Sequence, residues 1–371
     1  MAFEKIFEED ILSKRERTER ALNFQPVDRV PIHEQLSYNS GVLSLVLGRQ
    51  ICGFEYGRVE IGEAIRKTLD VTFPFFPPVG EGTETDKDGF TYKCDNWTKW
   101  RVSRPFEDAV GARDWLLRKT KENIKAIKSF NASREREKYL DYFVGMQSMI
   151  GETILMDVLE ISTGFCDVFD KMGLEIFSYF YYDYPEIMKD YMESSGELAV
   201  KKVQAVGDNS LTPVTCIAED FCTKQGPIFS PELLDSVHYP YVKSLTEAWH
   251  EKGLKVIYHT DGNFKKVIPE LLGCGVDGFY CLERACGMHI EELSKQWPAV
   301  FWAGGVDGTN IMERGTTEQT KEEVRKIITE TNALTRGGIF IDTASEINPP
   351  IKPENFIAML EATDELRNPD Y

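Results

Sequence analysis

Gly253-Leu254-Lys255-Val256-Ile257-Tyr258-His259-Thr260-Asp261-Gly262-Asn263 reads as an apolar strand that delivers an imidazole and a carboxylate to a glycine turn. In a parallel β/α fold that is where chemistry collects, at the carboxyl end of a buried strand. Side chains alternate along an extended chain, so His259 and Asp261 fall on one side and Thr260 on the other. A histidine so placed can bind a metal or carry a proton near neutral pH. The plainer reading is a histidine bonded within a strand-to-loop turn.

Outward from this stretch the same unit repeats. Pro231 to Glu251 predicts one long helix ahead of the strand, with Ser230 as N-cap, Pro231 at the first helical position and Gly253 as the stop. Val276 to Cys281, Val300 to Gly305 and Gly338 to Asp342 are further short apolar runs, separated by amphipathic helices such as Thr317 to Asn332. Upstream, Arg29-Val30-Pro31-Ile32 enters a first strand ending near His33 and Glu34. Tyr142 to Met146 and Pro213 to Ala218 read as later strands, with helices through Tyr182 and from Pro185 to Val206. Lys14 to Leu22 has the pattern of an exposed helix stopped by Pro26. Repetition of βα units over about 250 residues predicts an α/β fold of the (β/α)8 TIM barrel type. The barrel is expected as a single domain over residues 1–371 with an N-terminal helical extension. Residues 70–105, rich in Pro, Gly and aromatics with a hairpin turn at Asp86-Lys87-Asp88-Gly89, read as a small insertion. An open doubly wound sheet is the alternative. No G-x-G-x-x-G follows a strand and no G-x-x-x-x-G-K-[ST] occurs, so nucleotide cofactors lose support.

Composition narrows the classes. The 371 residues are 42% hydrophobic and 28% charged, enough to bury a large core. A formal charge of -18, from 61 acidic against 43 basic residues, opposes a polyphosphate backbone and argues against nucleic acid. No run of some 18 apolar residues appears, and the start Met1-Ala2-Phe3-Glu4-Lys5 lacks the pattern of a secretion signal, so a cytoplasmic protein without a membrane span is expected. Eight scattered cysteines read as free thiols or ligands rather than a disulfide scaffold. No G-x-S-x-G elbow and no C-x-x-C pair is present, which removes most support for hydrolase and thiol-disulfide chemistry.

In a barrel, the residues just past each strand share one mouth. These are His33 and Glu34, Gln147 and Ser148, Glu219 and Asp220, His259 and Asp261, Cys281 and Glu283, Asp307, then Asp342 and Ser345. Three uses of that mouth stand open. Glu219 or Asp220 with His259 and Cys281 would make a three-ligand zinc site with one open position. Asp220, Asp261 and Glu283, with His259, could instead do acid and base work without a metal. Cys281, Cys286 and His289 resemble a metal clip but lack a second ligand pair. His33, Gln147, Tyr258 and Asp307 are the candidate substrate contacts.

Several motifs in order resemble the uroporphyrinogen decarboxylase superfamily. They are Arg15-Glu16-Arg17 with Ala21 to Pro31, Gln225-Gly226-Pro227-Ile228-Phe229-Ser230-Pro231-Glu232, His259-Thr260-Asp261-Gly262-Asn263, Gly304-Gly305-Val306-Asp307, and Ile347 to Asn355. The resemblance runs from about residue 14 to 362 and implies a (β/α)8 barrel. Decarboxylases of the family carry an Arg-Gln-Ala-Gly-Arg segment after the first strand that binds substrate carboxylates; here that stretch is His33-Glu34-Gln35-Leu36-Ser37-Tyr38. An acid-lined mouth would also repel an eight-carboxylate porphyrinogen. The resemblance therefore implies the branch of cobamide-dependent methyltransferases, which pass a methyl group between a small substrate and a cobamide on a separate corrinoid protein. Some members hold zinc with a His-x-Cys pair and a distant Cys, and here Asp261 replaces the first cysteine. That departure turns the expectation from thiol acceptors toward O-methyl donors, methoxyaromatics among them, or N-methyl donors, as in O-demethylation. A carboxy-lyase and a non-catalytic barrel that binds a small ligand are the alternatives.

Overall fold

The computed structural model describes residues 6–156, 161–344 and 346–371; Ser345 of the candidate mouth lies outside them. Eight parallel strands are found among these residues: β1 (His33–Glu34), β2 (Val71–Thr72), β3 (Ile154–Leu155), β4 (Val214–Ala218), β5 (Lys255–His259), β6 (Gly278–Tyr280), β7 (Phe301–Gly305) and β8 (Ile339–Asp342). The ladders run β1-β2-β3 and β8-β7-β6-β5-β4. Parallel bridges Ile32↔Ile341 and Gln35↔Glu346 join β1 to β8, so both ladders form one curved series with β3 and β4 at its ends.

Two separate apolar cores follow from strand alternation. Val71, Ile154, Val214, Cys216, Ile257, Phe301, Ala303 and Phe340 point to one side and cluster together. Their neighbours Leu155, Ile217, Val256, Tyr258, Phe279, Trp302 and Ile339 point to the other and pack under the helices. Each large side chain buried this way contributes roughly 1.5–3 kcal/mol. One face of the series thus encloses a small core of its own, and the other carries the helical layer.

Four sequence expectations are corrected. Tyr142 to Met146 is not a strand but part of the helix Ala132–Ile150. Asn131 caps that helix, and Tyr139, Phe143, Met146 and Ile150 bury one stripe at helical spacing; a five-residue apolar run alone cannot distinguish the two. The long helix after Ser230 breaks at His238 into Pro231–Val237 and Tyr239–Glu251, because Pro240 has no amide to continue the ladder. The insertion is a three-stranded antiparallel sheet, Gly80–Thr85, Thr91–Asn96 and Thr98–Ser103, while Val71–Thr72 belongs to the main series. Asp86 makes its first turn by accepting the amides of Asp88 and Phe90.

The fourth correction concerns the helix Lys14–Leu22, which is present but not exposed along its length. Arg17 is fully buried and donates to both oxygens of Asp28 at 2.7 Å and to Asp70 at 2.8 Å. Arg29 spans Asp70 and Asp10 at 2.7 and 2.8 Å. Lys14 donates to the carbonyls of Arg66 and Leu69 and to Thr153, tying the helix to the chain entering β2 and β3. This ion network closes the end of the strands opposite His259.

Candidate active site

Strand β5 ends in His259, whose Cα pairs in register with Ala218 of β4 and Tyr280 of β6. The chain then turns through Gly262, which takes φ +77; a Cβ there would lie 2.7 Å from the Thr223 carbonyl oxygen. Only glycine suits that turn. Two acids hold it: Asp220 Oδ1 accepts the Asp261 amide at 3.0 Å, and Glu283 Oε2 accepts the Gly262 amide at 2.6 Å. Asp261 is thereby brought beside Cys281, whose sulfur lies 2.9 Å from Asp261 Oδ1 and 2.7 Å from the Ala344 carbonyl oxygen, two acceptors for its single proton. Cys281 and Ala344 both adopt left-handed backbone, φ 74 and 64, a strain that non-glycine residues accept where surrounding structure imposes it.

One ring nitrogen of His259, a carboxylate oxygen of Asp261 and the Cys281 sulfur lie within 4.8 Å of one another, and they are the one such group of three ligand types among the described residues. His259 Nε2 stands 3.3 Å from Asp220 and 3.8 Å from Asp261, while its buried Nδ1 has no hydrogen-bond partner among the described residues. Burial pulls the imidazole's pKa down, but the hydrogen bond and charge of Asp220, then the charge of Asp261, outweigh it and leave the group raised. Asp220 is lowered in return, against its own burial, by His259 and the Asp261 amide. Burial, then the charge of Asp261, pushes the Cys281 thiol well up. A nitrogen, an oxygen and a sulfur that converge in this way suit a zinc ion, which would take the place of the thiol proton.

Beside this group opens a cavity of about 320 Å³ lined by Phe73, Tyr280, Tyr38, Phe76, Glu346 and Gln35, with His259 in its wall. The His259 and Tyr280 rings lie 5.0 Å apart and those of Phe73 and Tyr280 5.3 Å apart. Below them His33 is buried between Phe73 and Tyr280, its Nδ1 bonded to Asp342. Burial holds the Asp342 carboxyl above its ordinary range in spite of His33, and burial with Asp342 raises Glu34 well above.

The structure gathers His259, Asp261, Cys281, Asp220 and Glu283 from the sequence candidates and disperses the rest. Glu219 lies outside the ligand group: its carboxylate accepts the Thr163 hydroxyl, the Thr163 amide at 3.0 Å and the Cys166 amide at 2.8 Å. Tyr258 points to the helical side and bonds His238 at 2.8 Å, the consequence of its odd place in the strand alternation. Gln147 sits on a helix and donates to the carbonyls of Gly151 and Thr153, ahead of β3 rather than after a strand. Asp307 caps the π-helical turn Gly308–Glu313 through the amides of Thr309 and Asn310. His33 lies beneath the cavity rather than in its lining. Cys286 and His289 turn to Glu283 and Arg284, so the clip does not form. Tyr280, Phe73, Tyr38 and Glu346 went unread; for Tyr280 the signal was its place on an inward position one residue before Cys281.

Residues 170–366, more than half of the chain, match the family model "Uroporphyrinogen decarboxylase (URO-D)". The chain belongs to the uroporphyrinogen decarboxylase family. Within it, the His259 turn and the cavity both fall at the carboxyl ends of the strands. A methyltransferase from Methanosarcina mazei is similar in structure at 15% sequence identity, with a TM-score of 0.64 over 95% of this chain and 99% of that one, which is a likeness of fold. A psychrophilic glycoside hydrolase family 10 endo-beta-1,4-xylanase aligns over 45% of the chain and 68% of its own, at 9% identity and a TM-score of 0.32. No curated protein matches the chain. Among the described residues, no helix is long and apolar enough to cross a membrane.

Proposed function

We propose that the chain is a (β/α)8-barrel methyltransferase that passes a methyl group from a small O-methyl or N-methyl donor to a cobamide carried by a separate corrinoid protein. One observation carries the reading: His259, Asp261 and Cys281 converge within 4.8 Å beside an aromatic cavity of about 320 Å³. The inward core shared by successive strands supports closure into a barrel. The methyltransferase name of the Methanosarcina mazei structure supports the reaction class. Among the described residues the cavity lining holds no arginine or lysine, which counts against a polycarboxylate substrate and hence against the decarboxylase alternative.

In this reading His259, Asp261 and Cys281 hold zinc, which when bound would polarise the donor's heteroatom as a Lewis acid with its open position. Asp220 orients the imidazole and, with Glu283, fixes the turn that carries Asp261. Tyr280 and Phe73 keep water from the donor. In a metal-free version the His259 ring, kept protonated by Asp220, gives its proton to the departing oxygen.

The test is disappearance of cob(I)alamin absorbance with a panel of methoxyarenes and methylamines, run beside zinc analysis of wild type and His259→Ala. About one zinc per chain, lost in the variant, supports the Lewis-acid version. Silence with every donor and corrinoid partner would leave a ligand-binding barrel and end the proposal.

A further inference from the structure

We infer that the cavity beside His259 is built for a small organic cation, a methylated ammonium, rather than for a neutral or carboxylated methoxyarene. The inference rests on the methyl-transfer reading only for the ligand's fate, since an ammonium nitrogen has no lone pair to give a metal or a proton and would depart as a neutral amine when its methyl passes to cobalt(I); for the ligand's charge it rests on the cavity alone.

Four aromatic rings, Tyr38, Phe73, Phe76 and Tyr280, line the space, and Phe73 and Tyr280 meet at 54° so that they form two walls rather than a stack. Ring faces carry the negative part of an aromatic quadrupole and attract a cation held against them. The fifth group is Glu346, placed at the rim by the parallel bridge between its backbone and Gln35. Among the described residues its carboxylate has neither a salt bridge nor a side-chain hydrogen bond. Burial raises its pKa, and among the described residues the Arg58 guanidinium that lies over the Phe76 ring makes no ion pair with it. Among the described residues no lysine or arginine lines the cavity.

Aromatic walls with an uncompensated acid are the complement of an alkylammonium ion. A carboxylated methoxyarene would face Glu346, while the one basic ring in the wall, His259, already has the carboxylates of Asp220 and Asp261 at 3.3 and 3.8 Å. A neutral methoxyarene would cover the rings but leave the half-buried acid without a partner, a cost the site has no other way to recover. Ligand pockets run roughly 300–1,000 Å³, so a cavity of about 320 Å³ suits a compact head group and excludes a macrocycle.

The experiment is calorimetric titration of the full chain with three probes: choline, its uncharged isostere 3,3-dimethylbutan-1-ol, and 4-methoxybenzoate. Choline is expected to bind about tenfold or more tighter than the isostere, as cation–π and carboxylate attraction require, and 4-methoxybenzoate weakest. Glu346→Gln should shrink the ratio of choline to isostere while leaving isostere binding within about twofold, a split that general misfolding cannot produce. Tyr38→Leu, with circular dichroism to confirm folding, should weaken choline by several-fold. Equal or better binding of the isostere, tighter binding of 4-methoxybenzoate, or no binding by any probe would overturn the inference. The two readings separate cleanly. Cation binding without cobamide methylation removes the methyl-transfer reading and leaves this one; methylation from methoxyarenes without cation binding does the reverse.

Discussion

Asp220 Oδ1 lies 3.3 Å from His259 Nε2, and the same oxygen accepts the Asp261 amide at 3.0 Å. One carboxylate therefore sets the angle of the imidazole and the position of the acid beside it. Asp220→Asn keeps the shape of the side chain and removes its charge. Loss of such an outer carboxylate costs a metal site about 10–100-fold in affinity, and that loss is expected here in zinc competition with a chromophoric chelator. An unchanged affinity would mean that Asp220 holds the turn but does not tune the histidine.

Zinc uptake should strengthen as pH rises. The His259 ring and, far more, the Cys281 thiol have pKa values raised above their ordinary ranges, so both carry protons that a metal must displace. Below those values protons win; above them the ligands are free. Each proton released adds up to about tenfold in affinity per pH unit, so binding should climb from about pH 6 upward and go on climbing past the ordinary cysteine value near 8.5. Cys281→Ser should flatten the climb. A pH-independent affinity would show that the metal does not use this thiolate.

Glu219 is expected to matter for stability and not for metal. Glu219→Ala strands the buried amides of Thr163 and Cys166, at about 1–3 kcal/mol for each group left without a partner. The urea midpoint should fall while zinc content per folded chain stays that of wild type. Loss of zinc with stability preserved would return Glu219 to the ligand set that its place after β4 first suggested.

How far the chain could be read in advance depended on which forces are local. Six of the eight strands were legible at least in part, because short apolar runs between capped helices carry their own signature; Val71–Thr72, only two residues long, was absorbed into the insertion that follows it. Ile154–Leu155 was not legible either, since two residues have no periodicity and the apolar stripe of the preceding helix drew the assignment upstream. The His259–Asp261 pair was legible from alternation alone. Glu219 was misplaced because adjacent residues at a strand end diverge: Asp220 turns to His259, while Glu219 turns back to satisfy Thr163 and Cys166, 56 and 53 residues away. Tyr258 obeyed the rule that placed His259, and the same rule sends it outward to His238. Glu346 and Tyr38 escaped notice because their meeting depends on β1 and β8 lying side by side, a contact between the two ends of the chain.

The buried network of Arg17, Arg29, Asp28 and Asp70 sets the behaviour in acid. Asp70 is buried, which alone would raise its pKa, yet the charges of Arg29 and Arg17 bring it down to about 2. Arg17 likewise holds Asp28 well below the ordinary carboxylate range against its burial. A carboxylate depressed in the folded state contributes stability that is complete above its unfolded value, near 3.9, and drains away as pH falls toward the folded one. Melting temperature should therefore hold above about pH 4 and fall steeply from there toward pH 2. Arg17→Met leaves Asp28 and part of Asp70 buried without their cation, a change that costs about 3–5 kcal/mol at neutral pH. Because the variant has already lost that attraction, its stability should decline less between pH 4 and pH 2 than wild type does. Two parallel curves, displaced but equally steep, would show that the network's acids do not supply the acid sensitivity and that other carboxylates on this strongly anionic chain do.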